Sequence, residues 1–312
     1  MIVSNTIEEI HVDDLSKAQF KQQYWHSNKP LLIKGAVKHW RAHKLWRQPD
    51  YLSKKLSKLE VLTLSEPLVE SNSNLSQTLS QTMEFESFFN EINNGKNNPL
   101  WIHALPLLFT EEDAKNVSTI AGMDKEEFVA AMSSLALEDV GSFPFLDKTA
   151  KSRLYPGWRI FLYRNSFTDW HEHITDTHLM CQICGDKEVT LLAPNAGNKL
   201  IRGLYEKNVS SLKMDKSFEE SVANANPYKV IVEDGDALHI PVYWYHKVAP
   251  TKNNSFGITL AHAYASPMRV NGDFRYLGSQ SMYKLAPVYM KPLLLMARAV
   301  ALLQKKKPLS IE

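Results

Sequence analysis

The chain has 312 residues, of which 44% are hydrophobic, and its formal net charge is +2. This composition provides enough apolar material for a substantial core, and the nearly balanced charge excludes a broad electrostatic surface for nucleic acid. Two cysteines are too few for a disulfide framework. No signal peptide is visible at the N-terminus, and the longest apolar stretch, at 292–304, is too short to span a bilayer. We therefore expect a soluble, cytoplasmic protein that does not contact membranes.

The first 140 residues or so favour helices with a few short strands. The segment DDLSKAQFKQQYWHS (13–27) begins with capping aspartates and places apolar residues along one helical face, whereas KPLLIKGAV (29–37) is typical of a strand. Helix-initiating residues open TEEDAKNVSTIAG (110–122) and DKEEFVAAMSSLALEDV (124–140), and the polar stretch 71–82 is predicted to be a loop. This region is predicted to be a helical elaboration.

From Gly157 onwards the pattern is that of strands. Six runs rich in β-branched and aromatic residues are separated by Gly, Pro, Asn and Asp: WRIFLYRNS, HLMCQICG, KEVTLLAP, YKVIVEDGDALHIP, WYHKVAP and FGITLAHAYAS. Few helical patterns lie between them, so the runs predict an antiparallel sandwich or barrel.

A helix is predicted near the C-terminus, from Pro287 to Gln304. It carries a polar stripe and an apolar stripe, formed respectively by Lys291, Arg298 and Lys305 and by Leu293, Met296, Val300 and Leu303. Two alternatives stay open: the apolar stripe packs on its own domain, or it packs on a second copy in a homodimer. We therefore divide the chain into a domain at 1–285 and a C-terminal helix with a basic tail at 286–312.

Three histidines predict a metal site. His171 and His173 are two residues apart, so on one strand both side chains face the same way, and His246 comes from a distant strand. Imidazole suits iron, copper, zinc or nickel, and three protein ligands leave coordination positions open for substrates. His239, in the apolar run ALHIP, is expected to be a packed core residue instead.

The segments around these histidines resemble the cupin-like JmjC hydroxylases. These are Fe(II)- and 2-oxoglutarate-dependent oxygenases similar to the asparaginyl hydroxylase that acts on hypoxia-inducible factor. GDALHIPVYWYH (235–246) follows the pattern G-D-x-L-x-I-P-x-x-W-x-H, and QICGDK followed by LLAP (182–194) follows Q-x-x-G-x-K and L-x-x-P. The segments 29–40 and 45–52 also look like the family. The resemblance implies a mainly β protein with α elaborations, built on a double-stranded β-helix, the cupin jelly roll.

The resemblance also implies roles for individual residues. His171 matches the first metal ligand and His246 the last, while Thr168 and Lys187 match the threonine and lysine that bind 2-oxoglutarate. A dicarboxylate inside a barrel requires a cation and a hydroxyl donor, which this pair supplies. Tyr163 on the preceding strand is a candidate for a second hydroxyl. No catalytic residue beyond the metal centre is implied.

One departure from the family concerns the second ligand. The pattern H-x-D/E reads H-E-H here, and His178 stands near where the family commonly has asparagine. Three alternatives follow. His173 coordinates the metal in a three-histidine centre, Glu172 or Asp176 reaches the metal through a bulge, or the domain has become a binding module.

The function expected from the resemblance is hydroxylation of a substrate by dioxygen, coupled to decarboxylation of 2-oxoglutarate at Fe(II). The substrate class is open among a protein side chain, RNA and a small molecule. Cupin thiol dioxygenases, which hold iron with three histidines and do not use 2-oxoglutarate, are one alternative, but they give no reason for the Thr168–Lys187 pair. A non-catalytic cupin that binds a partner is another alternative.

Overall fold

A computed structural model describes most of the first 266 residues. The described ranges are 5–64, 80–94, 99–102, 105–115, 117, 122–147, 152, 157–173, 176–197, 216–251 and 256–266.

Strands dominate the second half of the described chain, and helices alternate with short strands in the first half. The strands are β1 (Glu9–His11), β2 (Leu31–Lys34), β3 (Glu60–Leu64), β4 (Ser80–Glu84), β5 (Leu100–Ile102), β6 (Leu105–Pro106), β7 (Trp158–Arg164), β8 (Thr168–His171), β9 (Asp176–Cys184), β10 (Lys187–Leu192), β11 (Tyr228–Val232), β12 (Ala237–Ile240), β13 (Tyr245–Pro250) and β14 (Phe256–Ala265). The helices are α1 (Lys17–Gln19), α2 (Arg41–Leu45), α3 (Pro49–Leu56), α4 (Phe85–Asn94), α5 (Glu111–Lys115), α6 (Lys125–Ser134), α7 (Pro194–Gly197) and α8 (Lys216–Asn224). A 3₁₀ turn spans Val12–Asp14, and π-helical turns extend α1 and α6 over Phe20–Trp25 and Leu135–Asp139.

Two sheets form the core of the fold. The major sheet has the order β1-β2-β12-β9-β14-β7-β5-β3-β4, with β6 also on β7, and the minor sheet has the order β11-β10-β13-β8. Apart from the parallel pair of β1 and β2, the named strands pair antiparallel. Apolar side chains from both sheets meet between them, including Met180 and Leu238 from the major sheet and Val189 and Val248 from the minor one. The predicted jelly-roll core is therefore confirmed.

The N-terminal helices cover the other face of the major sheet. Alternate residues of the central strands, such as Cys181 and Leu260, join one large apolar cluster with side chains from the helical region, among them Trp40, Trp46 and Phe88. Because successive residues of a strand face opposite sides, the same strands supply this outer core and line the interior of the sandwich. The N-terminal helical region thus shields the outer face of the major sheet from solvent.

The six β-rich runs of the sequence all become strands, but several helix boundaries differ from prediction. The expected helix over 13–27 begins later, because Asp13 lies in a 3₁₀ turn and Ser16 is the residue whose side chain caps α1. The helix predicted over 110–122 ends at Lys115. The predicted loop at 71–82 is a strand from Ser80, and 71–79 lie outside the described residues. Tertiary pairing overrides local preference at such edges.

The C-terminal predictions are untested. Residues 267–312 lie outside the described part of the chain, so the helix over Pro287–Gln304, the boundary at residue 285 and the homodimer stay predictions. None of the helices described is long and apolar enough to cross a membrane.

Candidate metal centre

Three histidines converge inside the sandwich, at the edge of the minor sheet. Each of His171, His173 and His246 offers a ligand atom, and these atoms all lie within 4.8 Å of one another. His171 ends β8 directly opposite His246 on β13, and their ring centroids are 4.1 Å apart. His173 follows β8, and its carbonyl accepts a hydrogen bond of 2.9 Å from the backbone N–H of Tyr243. Sheet pairing and this loop contact therefore bring together the residues that sequence had proposed as ligands.

Two of the three histidines, His173 and His246, are held in the neutral form that binds metals. Desolvation, followed by the charges of neighbouring histidines, lowers the pKa of His173 and of His246 well below the usual value, so both are neutral at pH 7. The Nδ1 of His246 lies 2.9 Å from the carbonyl oxygen of Trp244. A carbonyl only accepts, so Nδ1 carries the proton and Nε2 keeps its lone pair for a metal.

The two carboxylates considered as alternative ligands lie elsewhere. Glu172 accepts a hydrogen bond of 2.9 Å from the hydroxyl of Tyr245, and Asp176 accepts one of 2.9 Å from Ser152. Tyr245 packs with Trp170 in a cluster separate from the core between the sheets. Among the described residues, the group of close ligand atoms comprises the three histidines without either carboxylate. The geometry therefore favours the three-histidine alternative.

A register shift brings Thr168 to the same face of the minor sheet as His171. On a regular strand, residues three apart face opposite sides, but here His246 pairs with His171 while Val248 pairs with Thr168. Three residues of β8 thus span two of β13, as in a β-bulge. Thr168 lies opposite Val248, whose side chain is in the core between the sheets, and it is exposed.

Lys187 is a buried cation on the inner face of the minor sheet. It begins β10, its side chain is 4% exposed, and its Nζ donates to the carbonyl oxygen of Ser166 at 3.1 Å. The ammonium also lies 3.4 Å from the ring centroid of Tyr163, a cation–π contact. Burial lowers the pKa of Lys187 to about 7. No carboxylate pairs with Lys187 among the residues that the structure describes.

Tyr163 is fixed by a hydrogen bond to its hydroxyl and by close packing of its ring. Its hydroxyl accepts a hydrogen bond of 2.5 Å from Nε2 of Gln182, whose Oε1 accepts one of 2.9 Å from Thr259. Its ring lies against Gly257, where an added Cβ would come within 2.3 Å of the phenolic oxygen. The rigid ring forms one wall around the Lys187 ammonium. Gln182 and Thr259, which the sequence did not single out as site residues, hold that wall in place.

Two further residues near the cluster were missed as site residues by sequence reasoning. His178 on β9 stacks on His173 with ring centroids 3.6 Å apart. Arg159 on β7 lies opposite Ala261 on β14, and Ala261 in turn lies opposite Met180 on β9. The side chain of Met180 is in the core between the sheets, so Arg159 is on the same inner face of the major sheet. Its charge adds to desolvation in lowering the pKa of both His173 and His178. Only strand pairing reveals that these positions share a face.

His239 belongs to the core, as expected. It is fully buried, its Nδ1 lies 2.6 Å from the hydroxyl of Tyr264, and its ring packs edge-on against Phe20. Desolvation lowers its pKa to about 3, so it is a neutral packing residue. It does not belong to the metal-ligand group.

Comparison with known proteins supports the same architecture. A family model described as a cupin-like domain matches residues 17–268. A search of curated proteins gives no match.

Proposed function

The chain belongs to the cupin-like domain family, and we propose that it is an Fe(II)-dependent oxygenase that uses 2-oxoglutarate and dioxygen to hydroxylate a substrate. A metal-binding cupin oxygenase fits the family and the histidine cluster. The use of 2-oxoglutarate is the finer part of the proposal, and it rests on the surroundings of the cluster.

His171, His173 and His246 are the residues that would hold the metal. Three nitrogen ligands would leave other coordination positions of the metal open, which an oxygenase requires for its cosubstrate and dioxygen. When bound, iron would supply the redox chemistry by which dioxygen is activated. The protein's own contribution is to keep the imidazoles of His173 and His246 neutral and to orient the ring of His246.

The observation that carries the 2-oxoglutarate proposal is Lys187. An ammonium without a carboxylate partner loses its hydration on burial, and this loss destabilises the charged form. A buried carboxylate ligand would restore that charge balance. Lys187 shares the inner face of the minor sheet with His246, because Leu191 on the same face of β10 lies opposite His246. A dicarboxylate bound to both the metal and Lys187 would be held at both ends.

Two hydroxyl groups complete the proposed cosubstrate site. Thr168 lies on the face shared with Val248 and His171, and the carbonyl of Ser166, two residues before Thr168, contacts the ammonium of Lys187. Tyr163 packs against the same ammonium. We propose that Thr168 donates to a carboxylate of 2-oxoglutarate and that Tyr163 positions Lys187, in addition to offering the hydroxyl expected from sequence.

An oxygenase that does not use 2-oxoglutarate is the second candidate. It is favoured by the donor set, because three neutral imidazoles leave the full positive charge on the metal, whereas a carboxylate ligand would reduce it. This candidate gives no role to the buried Lys187, which is why it ranks second. A non-catalytic binding module would explain neither the lysine nor the neutral histidines.

Anaerobic calorimetry separates these candidates. The protein is loaded with Fe(II), its metal content is measured, and it is titrated with 2-oxoglutarate; succinate release is then followed in air. We expect one iron per chain and 2-oxoglutarate binding that requires the metal. Iron binding without 2-oxoglutarate binding would favour the second candidate, and failure to bind iron would favour the binding module.

Paired histidine variants control this experiment. His246→Ala is expected to lose iron and, with it, 2-oxoglutarate binding. His262→Ala is the matched control: His262 is also a buried histidine in a strand of the sandwich, but it stacks on Trp158 and does not belong to the ligand group. The His262→Ala variant is expected to keep both iron binding and 2-oxoglutarate binding. Equal behaviour of the two variants would contradict the assignment of the site.

A further inference from the structure

The imidazole of His178 lies face to face with that of His173. Their ring centroids are 3.6 Å apart and the ring planes make an angle of 26°. His178 belongs to β9 in the major sheet, where it pairs with Ile240 and Ala263, whereas His173 follows β8 of the minor sheet. The stack therefore connects the two sheets across the interior of the sandwich, directly behind one of the proposed metal ligands.

His173 differs from His246 in what fixes its ring. The Nδ1–H of His246 donates to the carbonyl of Trp244, which sets both the tautomer and the orientation of that imidazole. Within the described part of the chain, no hydrogen bond to the ring nitrogens of His173 is present, although its backbone carbonyl is bound by Tyr243. Metal-binding histidines usually have an outer hydrogen bond that orients the ring. At His173, the stacked imidazole of His178 is in a position to orient the ring instead.

The stacking geometry also indicates that His178 is not itself a ligand to the same ion. The lone pair of an imidazole nitrogen lies in the plane of its ring. With two nearly parallel rings in face-to-face contact, an ion lying in the plane of His173 lies well outside the plane of His178. His178 can thus support the ligand without competing with it.

We propose that His178 is a positioning residue, which holds the imidazole of His173 by stacking in the orientation that coordinates the metal. This inference rests on the proposed metal site. The contact between the two rings is the observation on which the proposed role depends.

Cobalt binding tests the proposal without reference to activity. Co(II) serves as the probe, because its visible absorption reports the number and arrangement of the ligands. We expect His178→Ala to weaken Co(II) binding by about 10-fold to 100-fold, the usual effect of losing an outer-shell partner, and to alter the spectrum. His178→Phe keeps an aromatic face against His173, so its affinity is expected to stay within about threefold of the wild type, a difference below 1 kcal/mol.

Two further variants make the result specific. His262→Ala removes another stacked histidine and is expected to bind Co(II) like the wild type. In a chain that already carries His173→Ala, the additional change His178→Ala is expected to have no further effect on affinity, because a residue that acts only through His173 loses its role with it. Circular dichroism establishes that each variant is folded.

The results distinguish a wrong positioning role for His178 from a wrong metal site. If His178→Ala binds Co(II) with wild-type affinity and spectrum, the positioning role is wrong while the three-histidine site stands. If His178→Phe weakens binding as much as His178→Ala, a ring nitrogen of His178 matters rather than its face, and the stacking proposal is overturned. If the wild type itself binds no Co(II) or Fe(II), both this inference and the proposed function fail.

Discussion

Two buried charged residues, Asp139 and Lys187, differ in whether the described part of the chain supplies them with a counter-charge. Asp139, between the helices, is 1% exposed and accepts hydrogen bonds from Trp46 Nε1 at 2.8 Å and from the hydroxyl of Tyr51 at 2.9 Å. Arg41 adds a cation 3.6 Å away. Lys187, inside the sandwich, is 4% exposed but has only a carbonyl and an aromatic ring as described partners. The first charge is compensated by the chain itself, and the second is not.

This difference separates structural polar groups from functional ones. Asp236, which is fully buried, follows the pattern of Asp139: it accepts from the backbone N–H of Gly35 at 2.8 Å, and Nζ of Lys34 lies 2.5 Å from its other oxygen. A buried charge that the chain leaves without a counter-charge destabilises the fold, so its retention is explained when a ligand supplies the counter-charge. The comparison therefore supports our proposal that Lys187 serves ligand binding rather than folding.

Removal of the Lys187 ammonium should have the largest effect. Losing one partner of a buried charged pair costs roughly 2–5 kcal/mol, so Lys187→Ala is expected to weaken 2-oxoglutarate binding by about thirtyfold to a few thousandfold. Iron content should not change, because the lysine is not a ligand. Lys187→Arg should recover part of the affinity, limited by the bulk of the guanidinium. Anaerobic calorimetry measures the 2-oxoglutarate affinity of the wild type and of both variants. Equal affinity in the alanine variant would contradict the assignment of Lys187 to the site.

Removal of Asp139 should act on stability instead. Asp139→Ala leaves the buried N–H of Trp46 and the hydroxyl of Tyr51 without their acceptor, so we expect the free energy of unfolding to fall by about 2–4 kcal/mol. Urea denaturation measures the change. Asp139→Asn, which keeps one acceptor oxygen, is the matched variant and should lose less. The iron and 2-oxoglutarate affinities of the folded protein should not change; a loss of affinity would break the distinction between the two charges.

Replacement of Lys187 by an apolar side chain should stabilise the ligand-free protein. We expect Lys187→Met to raise the free energy of unfolding by about 1–3 kcal/mol near pH 6, because an uncompensated buried charge is removed. The pKa of Lys187 is about 7 in the folded protein and about 10.4 when unfolded. The penalty is therefore complete below pH 7 and decreases as pH rises from 7 towards the unfolded value. Denaturation at several pH values would show whether the advantage of the methionine variant shrinks accordingly.

The pH dependence of 2-oxoglutarate binding should be the smallest effect. Only the protonated lysine attracts a carboxylate, and its pKa in the absence of ligand is about 7. Affinity should thus fall about fivefold between pH 7 and pH 8 and approach a tenfold loss per unit above that. Binding should also take up protons, which calorimetry in buffers of different ionisation enthalpy detects. A pH-independent affinity in wild type, or the same dependence in Lys187→Met, would exclude the lysine as its origin.

The strands and the clustering of His171, His173 and His246 were largely predictable from the sequence. Alternating apolar residues between turn-forming residues mark the strands, and the spacing of His171 and His173 indicates that both side chains face the same way. Thr168 is an instructive case. Its proposed role came from the resemblance alone. On a regular strand, Thr168 would face the side opposite to His171, because the two are three residues apart. The register shift between β8 and β13 brings both residues to the same face.

Other features required long-range pairing. The extension of the major sheet by β3, β4 and β5 was not predicted, because it depends on pairing between strands that are distant in sequence. The same holds for Arg159 and His178, which share the inner face of the sheet through their pairing with β14. Arg159 has no local pattern that marks it as part of a site, and the position of His178 close to the histidine motif does not indicate which ring it contacts. The helix α4 was also not predicted, although it has a local pattern, since its buried residues have helical spacing: Phe85, Phe88, Phe89 and Ile92.

What the sequence alone determined is the chemistry of the site: imidazoles at fixed spacing, a lysine and a threonine in strand-forming segments, and enough apolar alternation for two sheets. These properties follow from residue types and the two-residue period of a strand, which are local. Only the tertiary structure decided which carboxylates stay outside the cluster, which ring stacks on His173, and that Lys187 is buried without a described counter-charge. Distance and burial arise when strands far apart in sequence pair, and no local pattern specifies them.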